Sequence, residues 1–419
     1  MRIGVQTWGS DGDIRPLIAL AGGLRSAGHD VTVAVTSTEN RDYSSLCQAL
    51  DLSYARVPED VLPDMANLGK KIRSSPNRVR ALQLLIQEVY LRYLDDMAAA
   101  AKTLCSSSDL VIGHFSVMPL KVAALRSGTP FVSVILFRGC VPSLYRPPGR
   151  MPDLGPLGNF LEWKGVQALV DFFGKREVRR LWRRHGLVPP RHVLPEAWSS
   201  SLLNLISASR VFCGHPPDWG TLNRVCGYFW LPAELEPWEM PRELQEFLDS
   251  GDAPVYMTFG LLQPFYPEIN VKLMKEAAQK ASCRAIIQTG SEKYPPNSRD
   301  GDIYFVDRVP HHHIFPRCAA VAYHGGGGTA HSVTLSGRPS VTVGFSNEHM
   351  ANGNDLYRLG AASKPIRYRA ATPHRLAAAI RQVLDSPQML KRAAELGGVM
   401  RREGGVRQAV EYISQLDLP

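Results

Sequence analysis

Ala322-Tyr323-His324-Gly325-Gly326-Gly327-Gly328-Thr329-Ala330 joins a short apolar run to a segment with helical patterning. Four consecutive glycines reach backbone conformations barred to bulkier residues and let an anion approach the main chain closely. The helix that follows offers unpaired N–H groups at its N-terminus, which suit a phosphate. Thr329 adds a hydroxyl and His324 a side-chain donor. A glycine run alone also suits a tight turn, so the strand before it and the helix after it carry the weight. The spacing matches neither the phosphate-loop lysine pattern nor the dinucleotide fingerprint. The stretch therefore reads as a strand–loop–helix joint of an open α/β sheet with an anion site at the joint.

The same alternation extends outward. Strand-like runs at 254–259, 284–288, 303–306 and 340–343 alternate with helical patterns around 269–280 and from Thr329. The N-terminal half repeats the theme. Ile3–Trp8 reads as a strand and Gly9-Ser10-Asp11-Gly12-Asp13 as a turn. Pro16–Ala27 reads as a helix, and Val31–Val35, Leu110–Gly113, Phe131–Phe137, Leu203–Ser207 and Arg224–Gly227 as later strands. A further helical pattern runs near Pro76–Thr103, and a Pro/Gly-rich loop covers 138–160. With 419 residues the chain exceeds one comfortable core. The reading is α/β, two Rossmann-like domains facing across a cleft: 1–230, a linker at 231–251, and 252–405, with a final helix at 406–419 bracing the interface.

The 44% hydrophobic and 21% charged content excludes a largely disordered chain. A net charge of +9 raises nucleic acid as a partner, yet the basic residues form no long tract and no nucleic-acid motif accompanies them. The densest cluster, Lys175–Arg184, reads as the solvated side of a helix with Val178, Leu181 and Trp182 supplying apolar contacts. Seven scattered cysteines without metal-ligand spacing fit reduced thiols. Neither a signal peptide nor a transmembrane helix is visible, so a cytoplasmic protein is expected.

His324–Thr329 followed by Gly337-Arg338-Pro339 closely resembles the donor-site signature of the GT-B glycosyltransferases of family 1, nearest to the bacterial natural-product and sterol glucosyltransferase branch. Thr7–Pro16 resembles that family's N-terminal signature, and Val309–Arg317 its segment before the glycine loop. These anchors lie in the expected order across nearly the whole chain. The resemblance implies the GT-B fold and an inverting transfer of a hexose-like sugar from a UDP- or dTDP-linked donor to a hydroxyl of a small, apolar natural-product acceptor.

Carried over by position, the resemblance makes Asp13 the catalytic base. It assigns donor contacts to Ser10, Val309, His311, His324, Gly325, Gly326, Gly327, Gly328, Thr329, Glu348 and His349. His114, Phe137, Tyr145 and Phe160 are the acceptor-side candidates. Direct displacement at the anomeric carbon needs a base, a stabilised diphosphate and aligned reactants. A free carboxylate is a weak base, so burial or a neighbouring histidine would help Asp13. Without the resemblance Asp13 reads as a helix cap. No cofactor is expected, the nucleotide sugar being a co-substrate. The triple histidine 311–313 lacks the geometry of a metal site, since consecutive side chains diverge. A homodimer is compatible with the resemblance.

Two departures stand out. Leu261 replaces a small hydroxyl residue, and Glu348-His349 replaces the commoner aspartate–glutamine pair, changing the hydrogen-bond inventory. They keep two other readings open: a nucleotide-sugar epimerase or hydrolase, and a non-catalytic accessory partner of another glycosyltransferase.

Overall fold

A computed structural model describes residues 1–58, 90–149, 151–235, 238–260 and 267–418. The chain divides into two compact units, Met1–Leu235 with Glu403–Pro419, and Glu236–Arg402. The C-terminal segment thus returns to the first unit, and the helix Arg242–Asp249, within the expected linker, lies in the second.

In the first unit seven strands form one sheet: β1 (Arg2–Gly9), β2 (Asp30–Ser37), β3 (Ser53–Arg56), β4 (Leu110–His114), β5 (Phe131–Ile135), β6 (Leu203–Ile206) and β7 (Asn223–Val225). Their order is β3-β2-β1-β4-β5-β6-β7, and every pairing is parallel. β4 and β6 are buried along their length, the pattern of a parallel sheet covered on both faces. Ile3, Val5, Val33 and Ile112 share one core with Leu17, Leu20 and Leu24 of the helix Asp11–Ser26. The helix Val406–Ser414 adds Ala409 and Ile413 to it.

The second unit holds β8 (Val255–Thr258), β9 (Ala285–Gln288), β10 (Ser298–Asp300), β11 (Ile303–Val306), β12 (Ala320–Tyr323), β13 (Ser340–Gly344) and β14 (Ile366–Arg367). The order is β10-β11-β9-β8-β12-β13-β14, parallel except where β10 meets β11. Two of the later helices start where a side chain caps them. Thr372 accepts a hydrogen bond from Arg375 N ahead of Pro373, and Ser386 from Met389 N ahead of Pro387.

Three expectations shift. The first helix starts at Asp11, placing Pro16 inside it, because the Ser10 cap and not the proline sets its start. The Pro/Gly-rich stretch ends earlier than read, since Gly155 and Pro156 open the long helix Gly155–Arg184. Of the helical pattern at Pro76–Thr103, the described part holds the 3-10 turn Leu91–Tyr93 and the helix Leu94–Ser107; residues 59–89 lie outside the described residues.

Both sheets have a switch point, where successive crossovers leave in opposite directions: between β1 and β4 in the first unit, and between β8 and β12 in the second. Loops at the carboxyl ends of strands flanking such a point are where open α/β sheets bind ligands.

Candidate active site

At the first switch point, β1 runs into Ser10, the N-cap of the helix Asp11–Ser26. Asp13 stands at the third helical position and turns back. Its Oδ2 accepts from Ser10 N at 2.9 Å and from Ser10 Oγ at 2.8 Å. Gly9, at φ +124°, must be glycine, because a Cβ there would stand 2.5 Å from Asp13 Oδ2. One carboxylate oxygen is thereby fixed, and the partly exposed side chain keeps Oδ1 for other work.

Oδ1 faces the end of β4. His114 Nε2 lies 3.9 Å from it, on a histidine only 4% exposed. Burial holds His114 neutral and pushes its pKa down to about 4, against an upward pull from Asp13. On the other side of the ring, Nδ1 lies 2.7 Å from Ser116 Oγ, which accepts the Trp8 indole N–H at 2.6 Å. Since Ser116 accepts from Trp8, its own hydroxyl proton is free for Nδ1. In the tautomer in which Ser116 donates to Nδ1, the imidazole proton sits on Nε2, which has no hydrogen-bond partner among the described residues and faces Asp13 Oδ1.

The other acceptor-side candidates separate. Phe137 follows β5 and, with Phe115 and Trp198, packs against the buried cluster that holds Ile135, while the Phe115 and His114 ring centroids lie 4.5 Å apart. Tyr145 and Phe160 lie further along the chain and are both exposed. The segment between Leu144 and Arg146 is tied to the Gly155–Arg184 helix by Asn159 Nδ2 to Leu144 O and Trp163 Nε1 to Arg146 O.

At the second switch point β12 delivers His324, and the helix Gly327–Ser336 begins three residues later with Gly326 as N-cap. Gly325 adopts φ +95°, and its carbonyl accepts from Asn352 Nδ2 at 2.9 Å. A Cβ on Gly326 would stand 2.3 Å from His324 Nε2, and one on Gly260 2.6 Å from His324 Cε1, so two glycines make room for one ring. Around Gly327 the space is open: a Cβ there would meet nothing within 4 Å. The first bond of this helix is Ala330 N to Gly326 O, which leaves earlier N–H groups directed beyond the helix end.

His324 is 8% exposed, and its Nδ1 has no hydrogen-bond partner among the described residues. Burial, reinforced by His349 and His311, pushes its pKa down to about 3. The His349 ring crosses His324 at 5.0 Å and 84°, and burial lowers its pKa to about 4. His349 and the exposed Glu348 occupy the first turn of the helix Asn347–Arg358, whose N-cap Ser346 accepts from His349 N. Thr329 sits in the first turn of its helix, and Val309 is buried next to the short helix His311–Ile314. The His311 ring stacks on Phe315 at 4.2 Å and 16°. Among the described residues, no three or more His, Cys, Asp or Glu are grouped to hold a metal ion. Leu261 lies outside the described residues.

The sequence reading missed Trp8 and Ser116. The signal available was a tryptophan at the end of the first strand and a His-x-Ser spacing at the end of the fourth.

Residues 279–404 match the C-terminal domain of the erythromycin biosynthesis protein CIII-like family. Over its whole length the chain is similar to O-mycaminosyltylonolide 6-deoxyallosyltransferase of Streptomyces fradiae, at 28% identity covering 99% of this chain and 97% of that one. The family model and this relative support a glycosyltransferase of the family 1 type. A sterol 3-beta-glucosyltransferase of Arabidopsis thaliana is 31% identical over 60% of this glycosyltransferase, which spans 38% of that longer relative. Among solved structures, the glycotransferase of kitacinnamycin superposes with a TM-score of 0.71 at 16% identity, covering 100% of this chain and 99% of that one. The glycosyltransferase VinC, solved in complex with dTDP, gives 0.67 at 20%, covering 99% of both chains. These likenesses establish the GT-B fold. No helix among the described residues is long and apolar enough to cross a membrane.

Proposed function

We propose that this glycosyltransferase moves a hexose-like sugar, with inversion, from a UDP- or dTDP-linked donor to a hydroxyl of a small apolar natural product. One observation carries the reading: the switch point of each sheet holds half of what transfer requires. The first offers a carboxylate with one oxygen fixed and the other backed by a neutral histidine. The second offers an open helix N-terminus beside a buried, neutral histidine.

In this reading Asp13 Oδ1 accepts the acceptor proton as the new glycosidic bond forms. The Ser10 contacts keep the carboxylate from rotating, and the Nε2–H of His114 orients it. His114 is thereby a positioning residue for the base as well as a wall of the acceptor site. Phe137 contributes an apolar wall, and Tyr145 and Phe160 contribute outer contacts.

On the donor side, the N–H groups after Gly326, the Thr329 hydroxyl and the His324 ring stabilise the diphosphate as it leaves. Val309 and His311 hold the nucleoside, and Glu348 and His349 the sugar hydroxyls. The solved complexes with dTDP support a thymidine nucleotide. The 6-deoxyallosyl and sterol glucosyl relatives support a hexose and a bulky apolar acceptor.

The test is a matrix of nucleotide sugars against macrolide and sterol acceptors, with products read by mass spectrometry. A glycosylated acceptor carrying the opposite anomeric configuration to the donor is expected. Donor turnover without glycosylated acceptor would favour hydrolysis or epimerisation. Donor binding with no turnover of any kind would favour an accessory role.

A further inference from the structure

The helix Gly155–Arg184 is 30 residues long, and its buried residues, Asn159, Trp163, Val178, Leu181 and Trp182, lie along one side. A helix covering a core on that side presents polar residues on the opposite one. Here it does not. Leu157, Leu161, Leu169 and Phe172 are 73%, 61%, 58% and 81% exposed. Their spacing runs them as one stripe along the outer face. Met151 and Leu154, exposed just before the helix, lengthen the apolar end.

From Arg176 onward the same stripe turns cationic. Arg176, Arg179 and Arg183 continue it at helical spacing, exposed and without an ion-pair partner among the described residues. Lys175–Arg184 holds six basic residues against the single acid Glu177. The outer face therefore has an apolar half and a cationic half in line.

We propose that this face docks the enzyme on an anionic lipid surface. The leucines and Phe172 enter the boundary between headgroups and acyl chains, and the arginines meet headgroup phosphates. Charge complementarity selects this occupant. The guanidinium fork matches phosphate oxygens, and several such cations near an anionic surface together outweigh a single surface ion pair. Large aliphatic and aromatic side chains standing out from a helix bury without a preformed pocket in a bilayer interface. The attachment is peripheral, consistent with the absence of a crossing helix among the described residues.

Co-sedimentation of the full chain with vesicles tests the proposal. Phosphatidylcholine–phosphatidylglycerol vesicles should retain it, pure phosphatidylcholine vesicles should not, and added salt should release it. Leu161→Glu/Phe172→Glu and Arg176→Ala/Arg179→Ala/Arg183→Ala should each reduce retention roughly tenfold or more. Both should keep wild-type circular dichroism and melting, because every substituted residue is exposed. Failure of the wild type to bind anionic vesicles would overturn the proposal, as would undiminished binding by folded variants. A dimer that Phe172→Glu dissociates, without vesicle binding, would assign the face to a second copy. Retention on heparin but not on vesicles would assign it to a polyanion. Either result also overturns the proposal.

Discussion

Oδ1 of Asp13 and Nε2 of His114 face each other at 3.9 Å across the switch point of the first sheet, the aspartate partly exposed and the histidine buried. The pair follows from strand order. The chain goes from β1 to β2 and β3 on one side, then returns to lay β4 against β1 on the other. Residues far apart in sequence thus end adjacent strands.

His114→Asn should lower kcat by roughly tenfold or more while leaving the dissociation constant of the donor nucleotide unchanged, because the residue acts on the base and lies in the first unit. Steady-state kinetics paired with calorimetric nucleotide titration check this. An equal loss in nucleotide affinity would contradict the positioning role.

The glycine loop offers a contrast within two residues. Gly326→Ala puts a methyl 2.3 Å from His324 Nε2 and should lower the melting temperature as well as nucleotide affinity. At Gly327 the methyl meets no protein atom within 4 Å. That variant should melt like the wild type yet bind nucleotide diphosphate more weakly, by roughly tenfold, because the methyl stands where the phosphate approaches. Unchanged affinity for Gly327→Ala would remove the diphosphate from this helix end.

Acid should destabilise the fold through its buried histidines. His114 and His331 are lowered to about 4 and His324 to about 3, all chiefly by burial, from an ordinary 6.5. Below pH 6.5 the unfolded chain takes up these protons while the folded chain does not. Stability therefore falls with pH from about 6.5 down to the folded values, by up to about 1.4 kcal/mol per pH unit for each histidine. Urea unfolding at pH 7.5, 6 and 5 measures it, and a flat midpoint across that range would contradict the assignment.

The C-terminal helix should be integral to the first unit. Val406 Cγ1 lies where a Cβ on Gly23 would be 2.2 Å away, and Ile413 is fully buried in the same core. Ile413→Ala should cost about 2–5 kcal/mol in urea unfolding. A loss under 1 kcal/mol would place the helix outside the core.

Much of this was legible in the sequence. Val31–Val35, β-branched except for Ala34, and the β-branched and aromatic run Ile303–Val306 both lie within strands because a doubly covered parallel sheet selects such residues. β14, with two residues, and β10, with three, are too short to show a period. Pro16 misled the first helix start because proline favours a first turn, yet the Ser10–Asp13 contacts opened the helix earlier. At the site, the glycine loop and Asp13 announce themselves by local pattern. The orientation of His114 towards Asp13, and its wiring through Ser116 to Trp8, depend on strand order and are invisible in one dimension.

The most direct measurement is the turnover of Asp13→Asn. Asparagine keeps a carbonyl oxygen for the Ser10 contacts, so the helix cap and the fold should survive, and nucleotide binding in the second unit should be unchanged. The account predicts a fall in kcat of roughly a hundredfold to ten-thousandfold with the donor dissociation constant preserved. Near-normal turnover by the folded variant would show that Asp13 is not the base.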